Sequence, residues 1–90
     1  SMRVAVVTGD DLSGRVDELR SMNVREMSTG QPLPSTLMSM NAYLGAFPIA
    51  RALDAGADIV ITGRCVDSAV TLGPCIHAFG WKENDYDALA

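Results

Sequence analysis

The sequence predicts an α/β protein: a three-layer, Rossmann-like arrangement with a mainly parallel sheet and the order β-α-β-α-β-α. Three observations predict it. Short, almost continuous apolar runs at residues 3–8 (RVAVVT) and 58–62 (DIVIT) mark strands covered on both faces. Segments with apolar residues at steps of three and four lie between and after these runs. The two periods alternate along the chain without an internal repeat, as in parallel strands joined by right-handed crossovers.

Each element has its own local reason. The first strand ends where Gly9-Asp10-Asp11 interrupts the apolar run. Leu12, Val16 and Leu19 then form one stripe of an amphipathic helix reaching about Met22, with Asp10 or Asp11 as its N-cap. Gly30, Pro32 and Pro34 make residues 28–36 an exposed loop. Residues 37–41 (LMSMN) alternate apolar and polar, the period of a second strand. Gly45 breaks the chain, and Pro48 suits the first turn of a helix that presents Ile49 and Leu53 beside Ala46, Ala50 and Ala57. Gly56 is placed for a left-handed stop. A third strand follows at 58–62. Ala69, Leu72, Ile76 and Phe79 then define a last helix, ended by Gly80, in which Gly73-Pro74 predicts a kink or break.

Composition bounds the function. Ninety residues allow at most one small domain. With 48% apolar and 20% charged residues, the chain has the balance of a folded protein, not a disordered one. A net charge of −4 and the absence of any Lys/Arg run argue against a nucleic-acid or anionic-membrane face. No stretch approaches the roughly 20 apolar residues of a membrane span. Cys65 and Cys75 do not form a disulfide framework, so a reducing cytoplasm is the expected location. Ser1-Met2 reads as a cloning scar, leaving residues 3–90 as a single α/β segment.

In a parallel sheet, ligands collect outside the carboxyl ends of the strands. All three expected strand ends lead into small or polar residues: Gly9-Asp10-Asp11, Asn41 to Gly45, and Gly63 to Ser68. Glycine lets backbone approach a ligand, and a helix N-terminus offers N–H groups to an anion. Arg64 can grip a carboxylate or phosphate with two parallel bonds. The expected ligand-binding residues are therefore Asn41, Tyr43, Gly45, Gly63, Arg64, Asp67 and Ser68, with Asp10, Asp11, Tyr43 and Asp67 as the acid/base candidates. For Asp10, Asp11, Asp67 and Ser68, helix capping and turn formation compete with that role.

Other motifs carry less. Cys65 beside Arg64, near a helix N-terminus, has the surroundings that favour a thiolate. The one histidine, His77, lies ~15 Å further along if the helix is unbroken, so a dyad is not expected. Cys65, Cys75 and His77 lack the paired spacing of a zinc site, and the residues specify no cofactor. Neither GxGxxG nor GxxxxGK[ST] is present.

Three segments together resemble a known family. They are NAYLGA at 41–46, GADIVITGR at 56–64, and the DSA-LGP-IH-FGW run from Asp67 to Trp81. They are similar to the acyclic terpene utilisation (AtuA) family, and the similarity extends from Val4 to Leu89. It implies that the chain is a piece of the N-terminal core domain of a longer protein. It further implies a role in degrading acyclic terpenoids or branched-chain acyl-CoA compounds, alongside acyl-CoA carboxylase and enoyl-CoA hydratase components. The motif positions carried over are Asp10, Asp11, Asn41, Tyr43, Gly45, Gly63, Arg64, Asp67 and Ser68. His77 matches as well, whereas Cys65 stands where the family has an aliphatic residue.

Two functions follow from this reading. One is an enzyme acting on a terpenoid acid or acyl-CoA, which requires the three segments to converge on an open pocket. The other is a non-catalytic subunit or scaffold, in which Arg64 is buried in a salt bridge to Asp10, Asp11 or Asp67. The isolated segment is also expected to associate with itself, because its strands call for cover on both faces.

Overall fold

The structure, a computed structural model, describes residues 1–90. It is an α/β fold in which two parallel strands, β1 (Val4–Val7) and β2 (Ile59–Thr62), form the sheet. Val4 pairs with Ile59, Ala5 with Val60, Val6 with Ile61 and Val7 with Thr62. The ladder is held at its start by Asp58, whose carboxylate accepts the Arg3 N–H at 2.8 Å, and at its end by the Gly63 N–H donating to Val7.

One helix packs on a face of the sheet and a second packs on that helix. Helix α2 (Phe47–Asp54) has Pro48 in its first turn and buries Ile49 and Ala50. Gly56, at φ 96°, turns the chain out of the helix. Helix α3 (Ala69–Phe79) lies along α2 and ends at Gly80, whose φ is 66°. The core is small: Ala46, Ile49, Ala50, Ala69 and Ile76, with Gly73 buried among them. His77 Nδ1 lies 2.6 Å from Asp54 Oδ1 and ties α3 to α2 at the rim. A short helix, α4 (Tyr86–Leu89), follows near Trp81, which stacks on Phe79 at 5.3 Å.

Several expectations are corrected. Residues 37–41 form no strand. The Leu12 N–H donates to Met40 and the Ala42 N–H to Asp10, so this segment crosses the strand ends as a loop held by an isolated antiparallel bridge, Asp11 to Asn41. Five alternating residues have the same polarity pattern in a loop as in a strand, and Met38 projects fully into solvent. The helix expected from Leu12 begins as a single 3₁₀ turn (Ser13–Arg15) and becomes helix α1 only over Val16–Ser21. Neither Asp10 nor Asp11 is its N-cap: that position is Leu12 for the 3₁₀ turn and Arg15 for α1. Helix α3 runs unbroken through Gly73-Pro74. Val70, whose carbonyl Pro74 deprives of a donor, is on the exposed side and open to water. Phe79 is exposed too, so α3 buries Ala69, Gly73 and Ile76, not the four-residue apolar stripe.

The helices cover one sheet face only. Ala5, Val7, Val60 and Thr62 are half-buried towards α2. On the other face Val4, Val6, Ile59 and Ile61 remain 56, 64, 44 and 56% exposed.

Candidate functional site

The C-terminal ends of β1 and β2 are joined by a hydrogen-bonded cluster whose centre is Asp10. Its Oδ2 accepts the Arg64 backbone N–H at 2.9 Å and the Asn41 side-chain amide at 3.2 Å. Its own carbonyl accepts the Ala42 N–H at 2.7 Å. Three segments separated by 31 and 54 residues thus meet on one half-buried residue. Beside it, residues 43–45 run parallel to 64–66: the Leu44 N–H donates to the Arg64 carbonyl and the Val66 N–H to the Leu44 carbonyl.

This pairing sets Tyr43 next to Arg64. The Arg64 guanidinium lies over the Tyr43 ring, 5.4 Å from its centre, and Nη1 donates to the phenolic oxygen at 3.0 Å. The hydrogen bond to Tyr43 favours the charged guanidinium, as does, more weakly, the nearby Asp10 carboxylate, and the Arg64 pKa is raised. Arg64 is exposed, and the ion pairs of the chain, Arg15–Glu18, Arg51–Glu83 and His77–Asp54, do not include it. A permanent cation is therefore presented at the strand ends in no salt bridge, with the Asp10 carboxylate acting on it only from further off.

The other expected residues separate from this centre. Asp11 turns back on its own chain, and the Ser13 hydroxyl and N–H hold its carboxyl below the usual carboxylate range. It acts as a turn residue. Asp67 and Ser68 lie exposed in the turn before α3, and Ser68 makes no side-chain capping bond. Gly45 faces open space. Cys65 packs half-buried against the core, with the Thr62 hydroxyl 3.7 Å from its sulfur, and His77 is engaged with Asp54 on the opposite helix.

The cluster forms a ledge. The cavities of the molecule lie away from Asp10, Asn41, Tyr43 and Arg64: an apolar groove of about 250 Å³ between Ile49, Leu53, Val60, Thr62, Val70 and Pro74, two open hollows of about 410 and 390 Å³ at Trp81, the second reaching Ser68, and a small one of about 50 Å³ at Met40. Two roles were not legible in the residues: Asp10 as the centre of the cluster, and Gly63 as the space its carboxylate occupies. A Cβ on Gly63 would run into the Asp10 carboxylate, whose Oδ2 would be 2.9 Å away.

No curated protein and no solved structure matches the chain. The family model described as acyclic terpene utilisation family protein AtuA matches residues 1–90, and with that match over its whole length the chain belongs to the acyclic terpene utilisation family.

Proposed function

We propose that the protein acts in the catabolism of acyclic terpenoid or branched-chain acyl-CoA compounds, in a reducing cytoplasm, with Arg64 holding the carboxylate or phosphate of the ligand. One observation carries the reading: Arg64 is an exposed guanidinium in no salt bridge, oriented by Tyr43 at the C-terminal ends of parallel strands. Asn41 and Gly63 support that position through Asp10, Asp67 and Ser68 lie in the turn that follows it, and in this reading Asp10 serves the backbone of the site, not proton transfer.

Binding of free coenzyme A, an acyl-CoA and a branched ten-carbon acyclic acid to the intact protein, measured by calorimetry, tests this. Arg64→Lys keeps the charge but loses the planar fork and the stacking on Tyr43. Affinity for the anionic probe is expected to fall about tenfold, the size of one charge-assisted hydrogen bond. Melting should shift little, because the side chain is exposed. Unchanged affinity for every probe that binds would remove Arg64 from the ligand site.

The alternative is a non-catalytic subunit working with a carboxylase or hydratase. The bare face of Val4, Val6, Ile59 and Ile61 favours it. In the complete three-layer, Rossmann-like fold of a longer protein, a second helical layer would lie on this face. The 90-residue segment alone would cover it by associating with itself.

A further inference from the structure

We infer that Asp10 is a positioning residue for Arg64, and that Gly63 is glycine because that carboxylate needs its space; the inference rests on the anion-binding reading of Arg64.

The geometry supports this in three steps. Two donors converge on the same Asp10 oxygen, the Arg64 N–H and the Asn41 amide. A side-chain oxygen that accepts a backbone N–H from a distant segment fixes that peptide in place. Arg64 is then held twice, by Asp10 at its backbone and by Tyr43 at its guanidinium. Both restraints limit the directions the side chain can take, which lowers the ordering cost of gripping an anion.

Gly63 completes the device. Its φ is outside the left-handed region, so backbone conformation does not demand glycine there. Space does, because any side chain at 63 displaces the Asp10 carboxylate. Asp10 reaches Arg64 only across a residue without a Cβ. Both donors to Asp10 come from the protein itself and share Oδ2, and its other oxygen, Oδ1, lies against Gly63.

The test uses the intact protein and the same three probes. Asp10→Ala removes the acceptor and is expected to weaken anion binding about tenfold. Asp10→Asn keeps a carbonyl oxygen in place and should stay within about threefold of the wild type. Gly63→Ala should match Asp10→Ala. The double variant Gly63→Ala/Asp10→Ala should be no weaker than the weaker single, since both substitutions break one contact. Denaturant melts of the same four proteins give the coupling without any ligand.

The outcomes separate the two ideas. If no probe binds the wild type, or if Arg64→Ala leaves binding unchanged, the anion-binding reading fails and the positioning role fails with it. If Arg64→Ala abolishes binding while Asp10→Ala does not, only the Asp10 inference is overturned. An Asp10→Asn variant as impaired as Asp10→Ala overturns it as well, by showing that the charge and not the acceptor matters. Additive losses in the double variant, in binding and in melts, overturn the assignment of Gly63.

Discussion

Gly73→Ala is expected to lower the stability of the chain by up to about 2 kcal/mol, the usual ~1–3 kcal/mol of overpacking a tight core less about 1 kcal/mol of helix propensity. The same substitution at Gly14 should raise stability by about 0.4–1 kcal/mol. Both glycines lie in helical turns, so the contrast isolates packing. At Gly73 a Cβ would sit 2.6 Å from Ile49 Cγ2, 2.8 Å from Ile49 Cβ and 3.2 Å from the Ala46 carbonyl oxygen. The last two are fixed by backbone, and a β-branched side chain has few rotamers to offer in a helix. Helices α2 and α3 would have to move apart, loosening Ala50 and Ala69, the most buried residues of the core. Alanine regains about 1 kcal/mol of helix propensity over glycine, which is less than the clash costs. At Gly14 the added methyl meets nothing within 4 Å. Urea melts of the two variants against the wild type measure both signs. A Gly73→Ala protein as stable as the parent would show that the helices do not cross this closely.

The same glycine shows what the sequence could and could not reveal. Counting apolar residues located both strands, α2 and the left-handed stops at Gly56 and Gly80, because each rests on a local signal. It misplaced the buried face of α3. That face is Ala69, Gly73 and Ile76, and a glycine needed for close approach carries no hydrophobic signal. Phe79 carried a strong one and is exposed, stacked on Trp81 outside the core. The third strand failed for a related reason. What decides between strand and loop at residues 37–41 is the pairing of Leu12 with Met40 and of Ala42 with Asp10 across the strand ends, a property of the distant partner.

The site divides along the same line. Its position at the strand ends followed from topology. The roles within it did not, because neighbouring aspartates take opposite directions: Asp11 bonds to Ser13 two residues on, and Asp10 reaches Arg64 and Asn41. Only the path of the loop between residues 9 and 12 distinguishes them. The criterion that separated enzyme from scaffold is met in part. The segments converge and Arg64 is free of any salt bridge, yet the cluster is a ledge.

The 90-residue chain is expected to associate in a concentration-dependent way, and a charge pair on the bare sheet face should return it to monomers. Fully burying an aliphatic side chain contributes about 1.5–3 kcal/mol, so covering the exposed half of Val4, Val6, Ile59 and Ile61 on both chains of a face-to-face pair yields roughly 6–12 kcal/mol. Association costs about 4–15 kcal/mol in lost freedom, a range that overlaps this gain. The face alone therefore gives weak association, and the outer edges of β1 and β2, which pair with no other strand, must add backbone hydrogen bonds for a stable assembly. Val6 and Ile61 are register partners on this face. Val6→Lys with Ile61→Glu places opposite charges side by side, an arrangement that supports the sheet while making the face costly to bury. Net charge stays at −4, so general repulsion between chains is unchanged. Light scattering on a size-exclusion column over a dilution series should show a mass above the monomer for the parent at high concentration and the monomer mass throughout for the double variant. A parent that remains monodisperse and monomeric at the highest concentration would show that these four side chains tolerate water, and the case for a partner on that face would end there.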